Sequence, residues 1–413
     1  MRIVHTSDWH LGKTLEGFSR IEEQEKFIDE LIGIVRDKKI DLVLIAGDIY
    51  DTSNPPAKAE SLFYRAIKGI TEDKKRGIII VSGNHDNPER LVAPSPLASN
   101  EGIILLGTPR SVINKGKYGC MDVVDSGEGF IEIELKGERA VIITLPYPSE
   151  RRLNEVFSDE FDQKENQRSY SERVGELFCK LQGKYRDDTI NLAVSHIYIK
   201  GGKTCDSERP IELGGSFAVG ADKLPQKAQY IALGHLHKPQ QIEYNGLNIM
   251  YSGSPLQYSK SEIDYAKSVY VIDVKAGQNP KIERVYLKNY KPIEVWKFNS
   301  IEDAIERCRN DGKRNIWVYI KIKTDRVITP SEMKEMRDLR PDILEIQPDV
   351  DGTDEEAAIS KDMSEKSMKE LFEEFYRSRR QMEPSEELID LFLKVIQKEG
   401  DEDETFKTQA KGA

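Results

Sequence analysis

Leu42-Val43-Leu44-Ile45-Ala46-Gly47-Asp48-Ile49-Tyr50-Asp51 opens as an uninterrupted apolar run and stops at Gly-Asp. A run of this length, apolar at every position, predicts a strand buried on both faces. It delivers a carboxylate at its end, a costly place for an isolated charge, and a metal ion would offset that cost. Four more strands are predicted to end in the same way. Residues 1–5 lead into Asp8 and His10. Gly77–Val81 leads into Gly83-Asn84-His85-Asp86. Residues 191–194 lead into His196, and residues 230–233 lead into Gly234-His235-Leu236-His237. Open α/β sheets build their sites at the carboxyl ends of strands, so five such ends carrying Asp, Asn and His predict a metal centre with Asp48 at its middle.

Around these strands the first 110 residues alternate strand and helix. Phe27, Leu31, Ile34 and Val35 share one face of a helix predicted over 20–37, and Leu62, Phe63, Ala66, Ile67 and Ile70 one face of a helix over 57–70. A β-α-β-α-β order implies a mostly parallel sheet with right-handed crossovers. Residues 110–150 change to short alternating runs between glycine-rich turns, predicting antiparallel strands in a second sheet packed on the first. Residues 147–168 are predicted as loop with helix, and Tyr170–Leu181 as a helix. Strand-like runs return over residues 228–288.

The expected division is a catalytic domain over 1–288 and a small α+β domain over 289–350. An acidic linker follows over 351–362, then two amphipathic helices over 363–400 and a disordered tail over 401–413. A chain of 413 residues is long enough for several domains. No apolar stretch reaches the roughly 20 residues of a membrane span, and the start lacks a signal-peptide core, so a cytoplasmic protein with no membrane partner is expected. The four cysteines, far apart and without a Cys-x-x-Cys pair, read as free thiols. The net charge of −11 argues against a uniformly basic nucleic-acid binder. However, residues 351–413 alone carry 18 acidic and 10 basic side chains, which leaves the rest near neutral and able to present a local basic groove.

Five of the six histidines lie in the strand-end segments; only His5 falls inside a strand. Asp8-x-His10 and His235-x-His237 share a spacing of two, which in an extended segment puts both side chains on one side. Imidazole, carboxylate and amide donors without thiolate point to manganese, iron or zinc in a catalytic site. Two ions about 3.5–4 Å apart need a bridging group, and Asp48 is the candidate. Singly, each motif has a bland reading: Gly-Asn-His-Asp as an ordinary turn, His196 as a satisfied buried histidine. The ordered set does not.

Five stretches carry a family resemblance. They are Thr6-Ser7-Asp8-Trp9-His10-Leu11-Gly12, Ala46-Gly47-Asp48-Ile49-Tyr50-Asp51, Gly83-Asn84-His85-Asp86, Ala232-Leu233-Gly234-His235-Leu236-His237-Lys238-Pro239-Gln240 and Tyr251-Ser252-Gly253-Ser254-Pro255-Leu256. There the chain resembles the calcineurin-like metallophosphoesterases. Among them it is most similar to the bacterial SbcD family of exonuclease subunits, which belong to the double-strand-break repair nucleases. The likeness is strong over about residues 1–290 and continues beyond that by architecture. It implies a metallophosphoesterase β-sandwich flanked by helices, a small α+β capping domain that contacts duplex DNA, and a C-terminal helical pair. It implies two divalent metal ions, taken here as Mn2+. One would be held by Asp8, His10, Asp48 and His237, the other by Asp48, Asn84, His196 and His235. His85 would face the scissile phosphate with Asp51 orienting it. Phosphoprotein phosphatases of the superfamily carry Arg where this chain has Thr52, which counts against that activity.

The implied function is a metal-dependent DNA exonuclease and endonuclease acting on duplex ends and hairpins in repair, recombination and replication. Its partner would be an SbcC-type ATPase, gripped by the C-terminal helices. The tail helices support this modestly, since docking on their own domain also explains their apolar faces. A homodimer is expected with the helix over 57–70 as a candidate contact, although core packing accounts for that face equally well. The basic runs Lys74-Lys75-Arg76 and Lys313-Arg314 read as solvated faces rather than DNA contacts, and no DNA-contact residue is assigned. The rival readings are a phosphomonoesterase or cyclic-nucleotide phosphodiesterase on the same centre, and a non-catalytic DNA-end scaffold.

Overall fold

A computed structural model describes residues 1–149, 151–153, 170–208, 217–311 and 314–349, together with Phe372, Tyr376, Arg377, Pro384, Ser385, Leu388, Ile389 and Phe392. The expected linker over 351–362, the tail over 401–413 and most of the loop over 147–168 lie outside the described residues.

Nineteen strands are described. In chain order they are β1 (Arg2–Thr6), β2 (Thr14–Leu15), β3 (Phe18–Ser19), β4 (Leu42–Ala46), β5 (Gly77–Val81), β6 (Ile103–Leu106), β7 (Gly116–Tyr118), β8 (Met121–Gly127), β9 (Phe130–Leu135) and β10 (Glu138–Leu145). They continue as β11 (Ile190–His196), β12 (Tyr230–Gly234), β13 (Gln240–Ile242), β14 (Ile249–Tyr251), β15 (Ser268–Asp273), β16 (Lys281–Tyr286), β17 (Ile293–Phe298), β18 (Trp317–Lys323) and β19 (Ile343–Asp349). One sheet has the order β16-β15-β1-β4-β5-β6, and the second β13-β14-β12-β11-β10-β9-β8-β7.

The expected parallel pairing holds for β1, β4, β5 and β6; β15 returns antiparallel against β1. In the second sheet β7 to β10 form an antiparallel meander, as their alternation predicts. From β10 the pairing turns parallel through β11, β12 and β14. The strand-like runs over 228–288 therefore divide between the two sheets.

The apolar run of β4 is explained by what covers each face. Leu42, Leu44 and Ala46 pack with Ile79, Val81, Ile133, Ile142, Leu192, Val194 and Ala232 in the layer between the sheets. Val43 and Ile45 face the other way, onto Phe27, Leu31, Leu62, Phe63 and Ala66. The last five belong to helices α1 (Ile21–Asp37) and α2 (Ala57–Thr71). On the far side, Val141, Ile143, Ala193, Ile231 and Leu233 pack with Val174 and Phe178 of the helix Tyr170–Leu181. The molecule is thus layered helix, sheet, sheet, helix, with two covered sheets.

A parallel three-stranded sheet, β17-β18-β19, follows. Its core of Trp296, Ala304, Cys308, Val318, Ile320, Met336 and Ile343 includes residues of the helices Ile301–Asn310 and Pro330–Leu339. Thr329 caps the second of these helices in a full capping box with Glu332. The opposite face meets the first helix and the turn before it. Leu15 packs with Ile293, Trp317, Tyr319 and Leu344, Trp317 Nε1 donates to Glu23 Oε1 at 2.8 Å, and Tyr319 Oη donates to Glu16 at 3.0 Å. All residues described up to Asp349 form one compact unit.

Past it, the Phe372 and Phe392 rings stack at 3.9 Å. The Ser385 hydroxyl accepts from Leu388 N at 3.3 Å, an N-cap where Pro384-Ser385-Glu386-Glu387 predicts a helix start. No helix among the described residues is long and apolar enough to cross a membrane.

Candidate metal centre

The five predicted strand ends do converge, but from two sheets. Asp8 and His10 follow β1, Asp48 follows β4, and Asn84 and His85 follow β5 of the first sheet. His196 ends β11, and His235 and His237 follow β12 of the second. Stacked sheets lie about 10 Å apart, so loops leaving both can meet over the shared inner layer.

The backbone that brings them together is strained. Asp8, His10, Asp48 and His235 have φ of 54°, 45°, 51° and 99°, a region that non-glycine residues seldom occupy and that clusters at functional sites. This corrects the expectation that the two x-spaced pairs are extended. Asp8 and His10 still converge, together with His237. His235 and His237 part company: His235 Nδ1 lies 3.1 Å from Asn84 Oδ1, while His237 Nε2 lies 3.0 Å from His10 Nε2. The positive φ at His235 turns the chain, so the period of two no longer applies.

His10, Asp51 and His85 form one donor group. Two more share Asp8, with His10 and His237 in one and Asp48 and His196 in the other, and Asn84 Oδ1 lies 2.9 Å from His196 Nε2. A single oxygen, Asp48 Oδ2, stands between them, 3.5 Å from His10 Nε2 and 3.4 Å from His196 Nε2. The other Asp48 oxygen accepts from His85 N at 2.9 Å. Close packing enforces this arrangement. A Cβ on Gly83 would overlap Asp48, and one on Gly234 would overlap the Ala46 carbonyl.

The charges and protons fit a cation. His196 Nδ1 donates to the Ala46 carbonyl at 2.9 Å, which aims Nε2 at Asp48 and Asn84. Burial opposes charge on His196, but Asp48 and Asp8 outweigh it and raise its pKa to about 9. The proton those carboxylates attract occupies the place of a cation. Burial would likewise raise Asp48, yet the imidazoles of His196, His85 and His10 hold it well below the usual range. Burial pushes His10 down to about 3 and also lowers His235, so both rings are neutral and keep lone pairs. Donors each about 2.1 Å from one cation stand roughly 3 Å apart, the separation of His10 Nε2 and His237 Nε2. The residues present therefore fit divalent metal.

His85 and Asp51 sit at the edge of this group. His85 Nδ1 is 2.6 Å from the main-chain carbonyl of Asp51. The Asp51 carboxylate, expected to orient His85, accepts from Lys13 Nζ at 2.9 Å and stands 3.4 Å from His10 Nδ1. The carboxylate still lies within 4.8 Å of a His85 ring nitrogen, so His10, Asp51 and His85 form a cluster of their own. Asp86 accepts from the Gly83, Ile49 and Tyr50 amides and ties the strand ends together.

Sequence reasoning missed a layer behind the ligands. Gln24 Nε2 donates to the His10 carbonyl. Ser7 Oγ donates to Asp8. Ser207, Glu208, Glu262 and Lys267 surround His237. Ser207 and Glu208 belong to a polar stretch over 200–209, and nothing in the sequence pattern marks Glu262 or Lys267. The run Lys74-Lys75-Arg76 and Arg314 pair with Glu72, Glu101, Glu294 and Asp311, as solvated faces do; Lys313 lies outside the described residues.

Residues 1–239 match the family model for calcineurin-like phosphoesterases. Residues 289–380 match one described as a type 5 capsule protein repressor C-terminal domain. A Bacillus subtilis protein, named as the D component of nuclease SbcCD, is 40% identical over 407 residues, covering 98% of this chain and 100% of its own. A Staphylococcus epidermidis protein of the same name is 29% identical over 344 residues, 83% of this chain and 84% of its own. A solved dimetal phosphatase from Danio rerio aligns with 68% of this chain and 98% of its own at 11% identity, with a TM-score of 0.35.

Proposed function

The chain belongs to the calcineurin-like phosphoesterases and, within them, to the SbcD nucleases, and from that premise we propose how its centre works on DNA. It is a metal-dependent nuclease component of an SbcCD-type complex. Asp8, His10, Asp48 and His237 hold one divalent ion, and Asp48, Asn84, His196 and His235 the other, with Mn2+ as the working metal. The observation that carries this reading is the single Asp48 oxygen set between the His10 and His196 nitrogens. When bound, the two cations supply a water activated near neutral pH and neutralise charge on the phosphate.

The chain's own residues do the rest. The Asp51 carbonyl keeps a proton on His85 Nδ1 and so orients the ring, which acts as an imidazolium, protonated at both nitrogens, and passes the Nε2 proton to the leaving oxygen, ending neutral with Nδ1–H retained. The Asp51 carboxylate orients His10 and draws Lys13 to the rim. The sheet β17-β18-β19, seated on Leu15, Glu16 and Glu23, caps the entrance and helps select duplex DNA. The residues beyond 363 serve the SbcC-type ATPase, and the complex acts on duplex ends and hairpins in the cytoplasm, with two copies of this chain per assembly.

The test is cleavage. Metal-stripped protein, reconstituted with manganese or magnesium, meets end-labelled linear duplex and hairpin DNA. Manganese-dependent cleavage, absent in His85→Ala, is the expected result. Turnover of a small diester without DNA cleavage, even after the ATPase partner is added, would overturn the nuclease reading.

A further inference from the structure

His237 is gripped through its backbone and its ring. Its amide donates to Glu208 Oε1 at 2.6 Å. Its carbonyl accepts from Lys267 Nζ at 3.0 Å and from Ser254 N at 3.2 Å. Its Nδ1 lies 2.6 Å from Ser207 Oγ, which donates to Glu262 Oε1 at 2.5 Å. Behind them Glu262 is fully buried. It pairs with the buried Lys267 and accepts from Ser254 Oγ and Tyr258 N.

The protons in this chain can be counted. A serine hydroxyl has one hydrogen. An ionised Glu262 only accepts, and Lys267, although buried beside it, offers a cation that keeps it ionised. Ser207 must therefore spend its hydrogen on Glu262, and it meets His237 Nδ1 as an acceptor. The proton then sits on Nδ1, and the lone pair sits on Nε2, the nitrogen that faces His10. The same tautomer is set at His196 by a different device, the Ala46 carbonyl.

We infer that Ser207 and Glu262, anchored by Lys267, are positioning residues that lock His237 in the Nε2-ligating tautomer and so set the affinity of the metal site it shares with Asp8 and His10. This rests on His237 being a metal ligand. None of the three touches the reacting atoms; they act through His237. Ser207 is only partly buried and lies on the loop that follows β11, whereas Glu262 and Lys267 belong to the segment between β14 and β15, so the ligand is clamped between two separate pieces of chain. Partners of this kind typically change metal affinity about 10–100-fold when removed.

The experiment is calorimetric titration of the metal-stripped full chain with Mn2+, comparing wild type with Ser207→Ala, Ser207→Thr and His237→Ala. The expected result is two sites in the wild type, one of them weakened about 10–100-fold in Ser207→Ala and restored in Ser207→Thr, with the other unchanged. Wild-type binding at both sites by Ser207→Ala would overturn the relay. Retention of both sites by His237→Ala would instead overturn the ligand assignment beneath it. A measurement that needs no variant is the nitrogen NMR spectrum of the wild-type imidazoles: a His237 ring protonated at Nδ1 is expected, and one protonated at Nε2 would overturn the proposal.

Discussion

At the scale of single residues, the roles of Asp48 and His85 separate by what each side chain touches. Asp48 Oδ2 faces ring nitrogens of the two donor groups that share Asp8. Asp48→Ala is therefore expected to lose Mn2+ from both sites along with activity; metal analysis after gel filtration checks this, and a metal-replete variant would remove the bridging role. His85 contributes its backbone amide to Asp48 and its ring to the Asp51 carbonyl. Truncating the ring leaves the amide in place. His85→Ala should keep both metals and lose at least about 100-fold in turnover, the typical worth of a positioned proton donor. Loss of metal in that variant would make His85 a ligand instead.

At the scale of elements, strand ends carry the site only because the two sheets approach closely there. Gly234, at the end of β12, lies against the carbonyl end of β4, and any Cβ would overlap the Ala46 oxygen. Gly234→Ala is expected to destabilise the fold by about 3 kcal/mol, the upper range for overpacking, and urea unfolding would measure it. The seam between the three-stranded sheet and α1 offers a milder test. Trp317 Nε1 donates to Glu23, which also pairs with the fully buried Arg20. Trp317→Phe keeps most of the apolar contact but leaves the Glu23 oxygen short of a donor, so a loss of about 1–2 kcal/mol is expected. Since Glu23 adjoins Gln24, which holds the His10 carbonyl, a shift in cleavage rate beyond that stability loss would show that the seam also disciplines the metal loop.

At the scale of the whole molecule, the centre stores unfavourable charge that a cation relieves. Neutral His10, the ionised Asp48 and two ring nitrogens 3.0 Å apart are crowded into one buried space. A metal that binds the folded chain in preference to the unfolded one stabilises folding. At an ion concentration a hundredfold above its dissociation constant, one site stabilises folding by about 2.7 kcal/mol. Chelation is expected to lower the melting temperature by several degrees, and manganese to restore it. A melting temperature indifferent to chelator would mean the donors are satisfied without metal.

Much of this was legible in the linear chain. Leu42–Ala46 declared a strand covered on both faces, because every residue in it is apolar. The order of Asp8, His10, Asp48, Asn84, His196, His235 and His237 pointed to a metal site, because carboxylate, amide and imidazole donors at successive strand ends suit a cation. How these side chains meet one another came only from the tertiary structure. Whether His235 sits with His237 depends on a left-handed backbone angle, and that the His85 ring meets the Asp51 carbonyl depends on how the two loops approach. Glu262, Lys267 and Ser207 have no signature in the sequence, since a buried ion pair and a hydroxyl relay exist only between segments that folding brings together.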